Sequence, residues 1–219
     1  MKTLKFAAVC AFGLTILAAT ASAQMGMGMR PSMPSGIFTP TVGAGAQYES
    51  TAADGTKTTV EFALVGKETV NGKDGYWLEW TTPGKMGEMI MKTLIVPGAT
   101  DAAPRVIMQM GKGQPMEMPA QNRMGMSVKP NFDVRSGAQD LGKESVTVPA
   151  GTFSCEHYRS KDGGDTWVAS NVPPFGMVKS SNNGSTMVLT KLITGAKDKI
   201  TGTPVPFNPQ MMMQGMQNQ

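Results

Sequence analysis

The chain has 219 residues, 40% hydrophobic and only 16% charged, with a formal net charge of +4. That suits one domain of ordinary size with long loops. Its 26 Gly and 15 Pro exclude an uninterrupted helix bundle, because both residues break helices or mark turns, and its two Cys exclude a disulfide-stapled small fold.

Residues 1 to 23 read as an export signal: Lys2 and Lys5 precede an apolar run from Phe6 to Ala19, and Ala21-Ser22-Ala23 forms the small-residue cleavage site before Gln24. The run is too short for a comfortable transmembrane helix, which needs about 20 residues, and no second such run follows. Cys10 follows Ala7-Ala8-Val9 rather than the Leu-led context of lipid attachment, so lipidation is not expected. Cleavage would remove two lysines and Cys10, leaving a nearly neutral body whose one thiol is Cys155. The remaining Lys and Arg are scattered singly, without the concentrated basic footprint that nucleic-acid binding requires. The expectations are a periplasmic or secreted monomer, no nucleic-acid partner and no integral membrane segment.

Residues 24–46 and 203–219 are rich in Met, Gly, Pro and Gln without apolar periodicity, which predicts disordered tails around a single β domain over 47–202. Inside it, Val60, Phe62 and Leu64 alternate with polar or small neighbours, and Asn71-Gly72-Lys73-Asp74-Gly75 turns the chain into Tyr76-Trp77-Leu78-Glu79-Trp80, a hairpin signature. From Glu88 to Val96 both faces are apolar: Met89, Met91 and Ile95 on one, Ile90, Leu94 and Val96 on the other. Such a strand is expected to be covered on both sides. Residues 98–104 suggest a helical turn, Arg105 to Met110 a strand, and 111–140 an irregular excursion.

Order returns at Val146-Thr147-Val148, a turn over Pro149-Ala150-Gly151-Thr152, and Phe153-Ser154-Cys155-Glu156-His157-Tyr158. Pro149 fixes φ near −65° and Gly151 supplies the positive φ that a short hairpin needs. Thr166-Trp167-Val168-Ala169, the corner Pro173-Pro174-Phe175-Gly176, the turn Asn182-Asn183-Gly184 and a strand from Thr186 to Ile193 follow. Trp167 and the corner are expected to pack on the sheet. Eight or more strands with few short helices imply a mainly β fold, a curved antiparallel sheet or open half-barrel.

The run Asp140-Leu141-Gly142-Lys143-Glu144-Ser145-Val146-Thr147-Val148-Pro149-Ala150-Gly151-Thr152-Phe153, then Trp167-Val168 and Val172-Pro173-Pro174-Phe175-Gly176-Met177-Val178-Lys179, resembles the C-terminal half of secreted bacterial proteins grouped with the lipoprotein-localisation-factor (LolA/LolB-like) superfamily. The resemblance is clearest over 139–207 and topological over 47–110. It implies a strongly curved antiparallel half-barrel over an apolar cavity that takes acyl chains or other hydrophobic ligands.

Catalytic chemistry is hard to assemble. The single histidine, His157, lies two residues from Cys155, which in a strand places both on one face. Same-face neighbours on one strand are about 7 Å apart, too far for a nucleophile-to-base hydrogen bond of about 3 Å. No Gly-x-Ser-x-Gly elbow, His-Glu-x-x-His or phosphate loop occurs. No catalytic residue and no cofactor are assigned, and Cys155 is expected to be buried.

The 20 methionines are the unusual feature. Met25, Met27, Met29, Met33, Met211 to Met213 and Met216 crowd the ends; Met108-x-Met110, Met116-x-Met118 and Met124-x-Met126 recur in the body. Three readings stand: plain packing or drift in the tails, an adaptable apolar lining, and capture of Cu(I) or Ag(I) by soft thioethers. The reading taken forward is an exported, non-enzymatic protein that binds an apolar ligand, a lipid or lipoprotein acyl chain, in a half-barrel cavity lined by Trp77, Met89, Met91, Met108 and Met110. The alternative is a soft-metal-binding protein of the cell envelope that uses its methionine-rich tails.

Overall fold

The computed structural model describes residues 36–84, 87–99, 103–119 and 133–208, and the expected export signal and Met-rich ends lie outside them. The described residues form twelve strands: β1 (Ala44–Thr51), β2 (Lys57–Val70), β3 (Lys73–Gly84), β4 (Gly87–Ile95), β5 (Val106–Met110), β6 (Met116–Glu117), β7 (Gln139–Val148), β8 (Gly151–Arg159), β9 (Asp165–Val168), β10 (Met177–Asn182), β11 (Ser185–Thr194) and β12 (Val205–Pro206). They make one open sheet in the order β12-β6-β5-β4-β3-β2-β1-β11-β10-β9-β8-β7. β1 lies near the centre, β2 to β6 build one arm outward from it, and β7 to β11 fill the other arm inward from the far edge until β11 pairs with β1.

Local chemistry accounts for the tight connections. The Asn71-Gly72 and Asn183-Gly184 loops each hold two residues at positive φ, 49° and 76°, then 47° and 77°. Those are the values a two-residue hairpin needs and that Asn-Gly supplies at least cost. Gly151, at φ 134°, opens β8 directly after the Pro149-Ala150 turn as expected. In β2, a register shift between Leu64 and Gly66 opposite β3 inserts Val65 and turns Glu68 toward Trp77.

The sheet has one well-filled face. Tyr48, Phe62, Leu64, Leu78, Phe175, Met177 and Leu189, each with 1% exposure or less, pack there with Trp80, Ile95, Phe153 and Cys155. Because residues from β2 and β3 share this cluster with residues from β7 and β8 near the opposite edge, the sheet is curved around it. Phe175, carried by the Pro173-Pro174 corner, meets Phe62 edge-on at 6.1 Å between ring centroids and Phe38 at 5.8 Å. Tyr48 Oη donates to the Met177 carbonyl at 2.9 Å, which satisfies its buried hydroxyl.

Several expectations change. Residues 36–46, read as tail, belong to the domain: Ile37 and Thr39 donate backbone hydrogen bonds to the Phe175 and Pro174 carbonyls, and Phe38 packs on the core. A low-periodicity segment is ordered here because tertiary packing, not local pattern, holds it. At the other end, β12 lies beyond 202 and pairs parallel with β6. The few short helices, including the turn over 98–104, are absent among the described residues, where 97–98 make a turn and 103–105 no helix. β7 begins at Gln139, inside the segment read as irregular, because its polar, exposed sequence hides an edge strand whose stability comes from pairing with β8.

Phe175→Ala should cost ~3–5 kcal/mol, as large-to-small changes in filled cores do. Urea unfolding of the variant against the parent measures it.

Candidate functional site

The two faces of the β3-β4-β5 arm carry different chemistry. Register fixes which residues share a face: Trp80 pairs with Met91, Met91 with Met108, Met89 with Met110, and Met108 with Met116. A row Phe62, Trp80, Met91, Met108, Met116 therefore crosses five strands on the core face. Met108 and Met118 are buried, Met91 and Met110 half-buried, and all four belong to one cluster with Val106. Met89 is half-buried against the main core.

Within this row Trp80 is 5% exposed, yet its indole Nε1 has no hydrogen-bond partner among the described residues. Burying an N–H without an acceptor costs about 1–3 kcal/mol. The other indoles do better: Trp77 Nε1 donates to Glu68 Oε2 at 3.1 Å, and Trp167 Nε1 donates to Glu144.

Four of the five sequence-selected residues, Met89, Met91, Met108 and Met110, come together on this face. Trp77 does not. It pairs with Leu94, points to the opposite face, and packs with Ile90, Leu94, Ile107 and Ile200. The error has a clear source: β3 carries a Trp on each face, and alternation alone does not say which face meets the core. The residue missed was Trp80, which shares the parity of Tyr76 and Leu78 and stands opposite Met91.

The second face is covered by the segment that follows β11. Lys199 N donates to Glu79 Oε2 at 3.0 Å, Asp198 binds the Lys92 ammonium, and Ile200 enters the apolar cluster around Trp77. Lys92 Nζ and Arg105 Cζ stand 4.9 and 5.2 Å from the Trp77 ring centroid, a cation–π pairing that lets charged groups lie against an apolar ring. Arg105 also grips Glu117 through Nε and Nη2 at 2.9 and 3.1 Å. Glu79 is 2% exposed, and burial pushes its carboxyl up to about 7, with Asp198 adding to the rise and the Lys199 N–H, Lys199 and Lys92 opposing it.

On the other arm, His157 is bound through both ring nitrogens, Nδ1 to Glu144 Oε1 at 3.1 Å and Nε2 to Asp165 Oδ1 at 2.9 Å, and stacks on Trp167 at 4.4 Å. Lys179 Nζ lies 4.9 Å from that indole's centroid. The thiol of Cys155, 1% exposed, contacts the Phe153 carbonyl at 3.7 Å. Neither ring nitrogen of His157 is directed at it. Burial, with a smaller contribution from Glu144, pushes the thiol up to about 11, which suppresses the nucleophilic thiolate.

Comparison with known proteins adds little. No family model matches the chain, and no curated protein matches it. Among solved structures, a protein from Bacteroides fragilis classed as exported, with a YmcC-like fold, aligns at TM-score 0.38 and 17% identity over 72% of this chain and 99% of its own. A protein from Parabacteroides distasonis classed as a lipoprotein aligns at TM-score 0.36 and 14% identity over 74% and 100%. Likenesses at this level set neither family nor function.

Two outcomes follow. Because the folded state holds a proton on Glu79 that the unfolded chain releases near 4.5, this group's contribution to stability is fully present below about pH 4.5 and is lost as pH rises through about 7. Urea melts from pH 4.5 to 8 should show a fall of ~2–3 kcal/mol that Glu79→Gln flattens. Cys155 should label slowly with thiol reagents in the native protein and quickly after denaturation, and Cys155→Ser should cost ~1–3 kcal/mol.

Proposed function

We infer that the chain is an exported, non-enzymatic protein that holds an apolar ligand, a lipid or acyl chain, against the methionine face of β3, β4 and β5. The observation that carries this reading is the buried indole N–H of Trp80, unpartnered among the described residues, in a row with half-buried Met91. A ligand with an apolar chain and a carbonyl or carboxylate oxygen would supply the missing acceptor while covering the thioethers. Methionine side chains suit such a role because they reshape around chains of different length.

The middle of the core face is not available to a ligand, since Tyr48, Phe62 and Phe175 fill it. Binding is therefore assigned to the β4–β6 end. The export signal read over residues 1–23 supports a location in the periplasm or outside the cell. No helix among the described residues is long and apolar enough to cross a membrane.

Native mass spectrometry and lipid extraction of the full chain, purified from its own envelope fraction, should find a bound acyl lipid. Fluorescence titration with a fatty acid should show about tenfold weaker binding for Trp80→Phe, the size of one lost hydrogen bond, and a larger loss for Met91→Glu. Absence of any bound lipid, together with unchanged fatty-acid titrations in both variants, overturns the reading.

A further inference from the structure

We propose that Met89, Met91, Met108 and Met110 form a thioether site for a soft monovalent cation, Cu(I) or Ag(I), within the folded body. The register brings these residues together as two directly opposed pairs, Met89 with Met110 and Met91 with Met108, on one face of two adjacent strands. Opposed Cβ atoms in an antiparallel pair lie about 4.5–5.5 Å apart, and the pairs follow one another about 7 Å along the strands. Each side chain has three rotatable bonds, so three or four sulfurs can turn toward one ion between the pairs. Met118, in the same cluster, and Met116, opposite Met108, surround that position with further thioethers.

The chemistry of the set selects the ion. Thioethers are neutral and soft, and prefer Cu(I) to Ca2+, Mg2+ or Zn2+, which seek oxygen or imidazole. Among the described residues no group of His, Cys, Asp or Glu is arranged to hold a metal ion, so this thioether cluster has no harder rival there. Half-burial of Met89, Met91 and Met110 gives the ion an approach, while buried Met108 closes the inner side.

This inference does not rest on acyl binding, and it is read out by metal retention when Met is replaced by Leu. Leu keeps the apolar volume and removes the sulfur. Anaerobic titration of the full chain with Cu(I) against a chromogenic chelator should show about one equivalent retained. That equivalent should persist when Met25, Met27, Met29, Met33, Met211, Met212, Met213 and Met216 are all changed to Leu, and disappear in M89L/M91L/M108L/M110L. Near-UV circular dichroism checks that the quadruple variant folds. If it does not, the single variants M91L and M110L, with sulfur-edge X-ray absorption of the loaded parent, give the answer. A parent that takes up no Cu(I), a folded quadruple variant that retains it undiminished, or a loaded parent without copper–thioether bonds overturns the site.

Discussion

Strands β3 and β4 are apolar on both faces, and much of the structure follows from the need to cover both. An antiparallel sheet can leave one face in water when that face is polar, but Trp77, Ile90 and Leu94 oppose Leu78, Trp80 and Ile95 on the same two strands. The core face is met by the curl of the sheet and the Phe175 corner. The other face is met by a strap, residues 196–204, which leaves β11 with Ala196 bound to Gly43, sets Ile200 among the apolar side chains, and rejoins the sheet as β12 beside β6. The strap brings backbone and charge with it. Glu79 receives the Lys199 N–H and Asp198 receives the Lys92 ammonium, so groups that would be costly to bury alone are hydrogen-bonded beneath the strap.

The same curvature decides how the interior is filled. Aromatic side chains from both arms fill the centre, so the interior resembles a packed core more than an empty half-barrel. Toward β5 and β6 the aromatic residues give way to methionines, and exposure rises at Met89, Met91 and Met110. At the centre aromatic side chains interlock, whereas at this end flexible thioether side chains pack on one another.

How much of this was legible in the sequence depended on whether the signal was local. Asn71-Gly72, Pro149-Ala150-Gly151 and Asn183-Gly184 each specify a turn by backbone chemistry alone, and each turn is there. The two-sided apolar pattern from Glu88 to Val96 announced double cover, and Met89, Met91 and Ile95 face one side while Ile90 and Leu94 face the other. What was not legible needed partners distant in sequence. β1 begins in a Gly- and Ala-rich stretch whose strand character comes from β2 and β11 on either side. Phe38 is ordered by Phe175, 137 positions away. The choice between Trp77 and Trp80 turned on the strap, because Ile200 packs against Trp77 beside Lys92 of β4, while among the described residues the Trp80 N–H has no partner.

Both edges of the sheet carry features that discourage pairing with another strand. β12 is two residues long, too short to template a partner strand. β7 spans ten residues and is exposed along most of them, so it must be guarded by other means. It carries Asp140, Lys143 and Glu144, and a register shift between Asp140 and Gly142 breaks the regular ladder; charge and bulges are both devices that discourage edge-to-edge association. Inward ties then fix its position: Glu144 binds His157 on β8 and Trp167 on β9, and Asp165 on β9 binds His157 and Arg159. The single histidine is thus a cross-strand clasp, held by carboxylates on both neighbouring strands, and its place beside Cys155 follows from strand alternation rather than from any shared chemistry. The β7 edge is thus tied by charged contacts, while on the opposite arm Met89, Met91 and Met110 stay partly exposed.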